Sequence, residues 1–98
     1  MIRIGTTSDL PPGEAKYVIA EGTALALVNV EGTFYAVDND CPHQGAPLGD
    51  GFLDGYLITC PLHAWQFDVR TGEMPDHPKF CVKTYPVTVR DGELFVEL

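Results

Sequence analysis

The stretch Cys41-Pro42-His43-Gln44-Gly45-Ala46-Pro47-Leu48 is answered later in the chain by Cys60-Pro61-Leu62-His63-Ala64-Trp65, and the pair decides how the sequence is read. Each segment offers one thiolate and one imidazole: Cys41 with His43, and Cys60 with His63, with sixteen residues between His43 and Cys60. Two soft sulfurs and two borderline nitrogens brought in from two loops describe a metal site. A structural zinc site usually groups like ligands, as Cys-x(2–4)-Cys or His-x(3–5)-His. Here each loop mixes the two kinds, and a single residue separates the first pair. That mixture suits two irons, one holding both sulfurs and the other both nitrogens, as in a [2Fe–2S] centre whose second iron has exchanged two cysteines for two histidines. A structural zinc held by the same four side chains is the alternative.

The two boxes, Cys-x-His and Cys-x-x-His at this separation, with a proline after each cysteine and Trp65 two places past the second histidine, resemble those of Rieske-type ferredoxins. These are the soluble electron carriers of bacterial ring-hydroxylating oxygenase systems. The tail Val82-Lys83-Thr84-Tyr85-Pro86-Val87, followed by a turn at Asp91-Gly92, is similar to that family too, so the resemblance spans nearly the whole chain. It implies one [2Fe–2S] cluster per chain, held by Cys41, His43, Cys60 and His63. It implies a carrier rather than an enzyme, passing single electrons from a flavin-containing ferredoxin reductase to a terminal aromatic-ring-hydroxylating oxygenase, with transient docking near His43 and His63. The small subunit of an assimilatory nitrite reductase, a relative with the same fold, is the second functional expectation. High-potential members of the wider family carry an extra cysteine in each loop and hydroxyl donors near the sulfurs. The matching positions here hold Ala46, Leu62 and Trp65, which places the expected potential at the low end of the range for His-ligated clusters, roughly −150 mV and above.

Working outward from the boxes, strand alternation and Gly/Pro punctuation recur while the helical period is nearly absent. Ile2 and Ile4 open a short strand, and residues 9–14, with Pro11 and Pro12, form a turn. Residues 17–20 read as a strand, and residues 23–30 and 33–38 as a hairpin across Glu31-Gly32. Between the boxes only residues 56–59 read as strand. Residues 65–69 follow the second box with Trp65, Phe67 and Val69 on one side, and Met74-Pro75-Asp76-His77-Pro78 reads as an irregular loop. Residues 84–89 and 93–98 make a closing hairpin, with Leu94, Val96 and Leu98 on one face. The expected architecture is all-β: one domain over residues 1–98, with a Rieske-like antiparallel β-sandwich base from both chain ends (1–38 and 78–98) and an inserted cluster-binding subdomain (39–77).

Composition sets the remaining bounds. A chain of 98 residues, 45% of them hydrophobic, has enough apolar mass for one core. The formal charge of −8, from fourteen acidic and six basic residues, disfavours nucleic acid, whose phosphates need a Lys/Arg footprint. It suits transient docking on basic partner surfaces. The start lacks a signal-peptide pattern and no run of eighteen apolar residues exists, so a cytoplasmic protein without a membrane span is expected, and a monomer. Three cysteines make a poor disulfide framework. Cys81, outside both boxes beside Phe80 and Val82, reads as a small hydrophobe. His77, the histidine left over, reads as a solvated loop residue. With two of three histidines held by the cluster, the two-histidine, one-carboxylate triad of a mononuclear iron oxygenase cannot be assembled.

Overall fold

Three pairs ending in glycine reverse the chain at Glu21-Gly22, Glu31-Gly32 and Asp91-Gly92, all with positive φ at both residues (47° and 81°, 52° and 92°, 52° and 77°). Positive φ at both central positions is the two-residue turn whose twist matches paired strands, and glycine at the second position removes the steric cost there. Each turn therefore makes a hairpin. The computed structural model describes residues 1–40, 47–61 and 65–98.

The strands, in chain order, are β1 (Ile2–Thr6), β2 (Ala15–Ala20), β3 (Thr23–Val30), β4 (Thr33–Asp38), β5 (Phe52–Asp54), β6 (Leu57–Thr59), β7 (Gln66–Asp68), β8 (Glu73–Met74), β9 (His77–Cys81), β10 (Thr84–Tyr85), β11 (Val87–Arg90) and β12 (Glu93–Val96). Two short 3-10 turns, Thr7–Asp9 and Leu48–Asp50, are the only helical segments among the described residues. The all-β expectation holds, and no helix among them is long and apolar enough to cross a membrane. One sheet has the order β1-β12-β11 and so joins both chain ends; a second runs β10-β4-β3-β2, a third β5-β6-β7, and β8 pairs with β9.

The four-stranded sheet carries a core on each face. Leu25, Leu27, Phe34 and Ala36 face one way, into a cluster shared with Tyr85, Leu94 and Val96. Ala26, Val28, Val30 and Val37 face the other way, against Leu48, Ile58, Cys60, Phe67 and Val69. Burial on both faces explains why β3 is apolar almost throughout instead of alternating. Fully burying a Leu, Ile or Phe of this kind is worth about 1.5–3 kcal/mol each. The second cluster fastens the β5-β6-β7 sheet, and with it the segments flanking both boxes, to the base.

Four expectations change. The stretch 84–89 is two strands, since Pro86 lacks an N–H: β10 pairs with β4, whereas β11 pairs with β12 in another sheet. The loop expected over residues 74–78 is partly strand, with Met74 opposite His77 and Glu73 opposite Cys81 across an irregular register. Cys81 is exposed on β9 and no core residue. Leu98 lies past the end of β12 and is exposed, unlike Leu94 and Val96.

Candidate metal centre

Leu53, Ile58 and Phe67 lie opposite one another across β5, β6 and β7 and face the core. Their packing fixes which end of the sheet is which. The start of β5, the end of β6 and the start of β7 all lie at one end, and both boxes open from it. Cys60 directly follows β6 and is 2% exposed, set among the apolar side chains of the core. Its backbone N–H donates to the Trp65 carbonyl at 2.7 Å, so the loop between them is closed at its neck.

The first box is closed as firmly. Asp40 and Pro47 form a bridge across residues 41–46. Behind it the Leu48 N–H donates to the Asn39 carbonyl at 2.7 Å, and the Gly49 N–H donates to the Asn39 side-chain Oδ1 at 2.8 Å. Asn39 is 4% exposed and, with Asn29, is one of two buried polar residues among the described residues. A Cβ on Gly49 would stand 2.8 Å from the Tyr17 nitrogen and 2.9 Å from Asn39 Oδ1, so a larger residue cannot sit there without moving backbone. The two necks also touch: a Cβ on Gly51 would meet the Thr59 carbonyl at 2.1 Å. Sheet pairing thus delivers the segment after the first box against the segment before the second.

One residue earlier, Asp38 anchors the same loop to the base. Its N–H donates to the Lys83 carbonyl at 2.9 Å, its Oδ2 accepts from the Lys83 N–H at 3.2 Å, and its Oδ1 accepts from the Tyr85 hydroxyl at 2.7 Å. Burial, then the bond to this carboxylate, pushes the Tyr85 hydroxyl up to about 12. At the far end of the sheet Arg70 holds Asp68 through Nη2 at 2.7 Å and lies 3.9 Å over the Tyr56 ring, which meets Tyr35 edge-on. The Arg70 hydrogen bond holds the Asp68 carboxyl below its usual value.

Of the four expected ligands the structure describes Cys60; Cys41, His43 and His63 lie outside the described residues, as do Pro42, Gly45, Ala46 and Leu62. Among the described residues no three of His, Cys, Asp and Glu gather as a metal site. Leu48, the last residue of the first box, is fully buried in the core. Trp65 packs at the edge of the core with its ring 5.4 Å from Phe80, and Phe80 meets His77 edge-on at 6.4 Å. His77 is exposed, in a strand instead of a loop. A cleft of about 440 Å³ lies between Trp65 and His77, floored by Leu57 and Met74. Sequence reasoning missed Asn39, Gly49 and Gly51; the signal available for Asn39 was an Asx-rich run immediately before a ligand box, since such side chains bond nearby backbone.

Two closed necks side by side, one carrying a buried thiol, fit a cluster bound by two thiolates and two imidazoles. A cluster needs ligands from two loops held at fixed separation, and a buried cysteine lowers the dielectric around its sulfur. The family model for the Rieske [2Fe-2S] domain matches residues 1–86. The chain is 44% identical, over 91 residues, to the naphthalene 1,2-dioxygenase system ferredoxin component of Pseudomonas aeruginosa, covering 92% of this chain and 88% of that one. Among solved structures it resembles the Sphingomonas yanoikuyae B1 ferredoxin (TM-score 0.87, 38% identity, 99% of this chain and 97% of that one). It also resembles a chain in the complex of reduced oxygenase and oxidized ferredoxin of carbazole 1,9a-dioxygenase (TM-score 0.90, 35% identity, 98% of this chain and 100% of that one).

Proposed function

Because the chain belongs to the Rieske [2Fe-2S] domain family, we propose that Cys41, His43, Cys60 and His63 hold its one cluster and that it serves as the ferredoxin component of a ring-hydroxylating dioxygenase system. The observation that carries this is the pair of closed loop necks, Asp40 to Pro47 and Cys60 to Trp65, at one end of one sheet. The cluster, when bound, takes up and gives back one electron. The chain's own residues do the rest. Cys60 supplies a sulfur from a water-poor core, the Gly49 N–H on Asn39 holds the two ends of the first loop together, Gly51 against Thr59 sets that loop beside the second, and Asp38 ties the first loop to the base. Rigid loops suit a carrier, because little has to move when the charge on the centre changes.

The partner at the receiving end is a terminal oxygenase, as in the carbazole 1,9a-dioxygenase complex, and the supplier is a flavin-containing reductase. A chain of net charge −8 suits brief, salt-sensitive docking of a monomer, and the chain works in the cytoplasm. Within the single domain, residues 39–77 act as the cluster-binding unit on a base of residues 1–38 and 78–98. The relatives reported above are ferredoxin components, which favours the carrier over a nitrite reductase subunit.

The test is an iron and sulfide assay with the EPR spectrum of the dithionite-reduced protein. About two irons per chain and the low average g of a His-ligated cluster are expected. Replacing His63 by Ala should abolish that signal. One bound zinc and no reduced signal would overturn the proposal.

A further inference from the structure

Directly paired residues on antiparallel strands share a face. Phe52, Thr59 and Gln66 are paired in a row across β5, β6 and β7, and Asp54, Leu57 and Asp68 form the next row on the same face. The opposite face is the core face of Leu53, Ile58 and Phe67, so these two rows form the sheet's outer face. The outer face ends, at its Phe52 row, one residue from Cys60.

Phe52 is 72% exposed, the most exposed large hydrophobic side chain among the described residues. Carboxylates flank it: Asp50 in the preceding 3-10 turn and Asp54 two residues on are both exposed, and neither has an ion-pair partner among the described residues. Asp68 in the second row is already held by Arg70. On its other edge the face continues into the cleft by Trp65, because Leu57 and Gln66 line both. An aromatic ring held in water at the end of a rigid strand, with free negative charge at its rim, describes half of an interface. Its complement is an apolar pocket bordered by Lys or Arg.

We propose that this outer face is a docking surface for the terminal oxygenase, with Phe52 as the anchor entering an apolar pocket and Asp50 and Asp54 pairing with basic residues around it. The inference rests on the carrier function proposed above and adds which face of the chain the oxygenase grips. Phe52 contributes nothing to the core, so its removal leaves the fold intact, while a buried aromatic anchor dominates an interface energetically.

The test mixes the reduced full-length protein with the terminal oxygenase of the Pseudomonas aeruginosa naphthalene 1,2-dioxygenase system in a stopped-flow cell. The half-saturating oxygenase concentration is read for wild type, Phe52→Ala, Phe52→Leu and Asp50→Asn/Asp54→Asn. Phe52→Ala should raise it about tenfold or more with unchanged EPR spectrum and potential, and Phe52→Leu should recover most of the loss. The double Asn variant should flatten its dependence on salt. An unchanged value for Phe52→Ala with a working wild type overturns this inference alone. So does an effect confined to electron uptake from the reductase, or a wild type whose sedimentation shows a dimer that Phe52→Ala dissolves. A wild type that cannot reduce the oxygenase at all overturns the carrier function and this inference with it.

Discussion

Replacing Asn39 by Ala removes the one side chain that, among the described residues, ties the two ends of the first box together. The Gly49 N–H, buried in the structure, loses its acceptor at 2.8 Å. An orphaned buried donor costs about 1–3 kcal/mol. The missing amide also leaves a void, because Asn39 is 4% exposed, and that adds about 1 kcal/mol. A total near 3 kcal/mol lowers the melting temperature of a domain this size by about 12–24 °C. The control is Asn29→Ala. Asn29 is buried to the same degree and makes two comparable bonds, Nδ2 to the Leu10 carbonyl at 2.8 Å and Oδ1 from the Gly32 N–H at 2.7 Å, but it lies in the hairpin instead of at the box. Thermal unfolding followed by circular dichroism, at one scan rate for all variants, should show both losing stability. The reduced EPR spectrum should shift only in Asn39→Ala, where the first loop is loosened. A melting temperature for Asn39→Ala within about 4 °C of wild type, or the same spectral change in both variants, would refute the reasoning.

Three further outcomes follow from the hydrogen bonds. Tyr85 keeps its proton to about 12 in the folded chain against 10.0 unfolded, so its contribution to stability is complete below 10.0 and is lost as pH rises toward 12; urea titrations of Tyr85→Phe should be flatter than wild type across that window. Asp68 behaves in the opposite sense: its folded pKa is lowered, so its contribution is present above the usual 3.8 and is lost as pH falls through the depressed value, and Asp68→Asn should flatten the acid limb of the stability curve. Trp65 contributes the carbonyl that accepts from the Cys60 N–H, which places position 65 against a proposed ligand; Trp65→Ser brings in a hydroxyl donor and should raise the reduction potential modestly, with an unchanged redox titration counting against sulfur hydrogen bonding there.

Much of the base was legible because its signals are local. The strands at residues 23–30 and 33–38 fall where the Glu31-Gly32 turn puts them, and that turn works through a positive φ set by the two residues themselves. Strand β5 was not legible. Phe52-Leu53-Asp54 is too short for a periodic signal, and it is a strand because the Gly51 backbone fits against Thr59 and no side chain intervenes. Strand β9 was hidden by Pro78, which suggests a loop; a two-stranded pair has edges on both sides, and an edge strand tolerates a residue without an N–H. The break at Pro86 was visible in the sequence, but the change of sheet that it permits was not.

By itself the sequence determined the kind of centre and the class of fold, since ligand chemistry is carried by residue type and spacing, and hairpins by turns two residues long. The tertiary structure alone decided how the segments flanking the two boxes are held side by side. That depends on contacts between segments distant in the chain: Gly49 against the Tyr17 backbone, Asp38 against Lys83 and Tyr85, and Leu48 with Phe67 around Cys60. It also decided that Phe52 faces water while Phe67, one strand away from β6 on the other side, is fully buried, because only the register of β5 and β7 on β6 assigns each ring to a face. Such contacts follow from close packing in three dimensions, which no local pattern encodes.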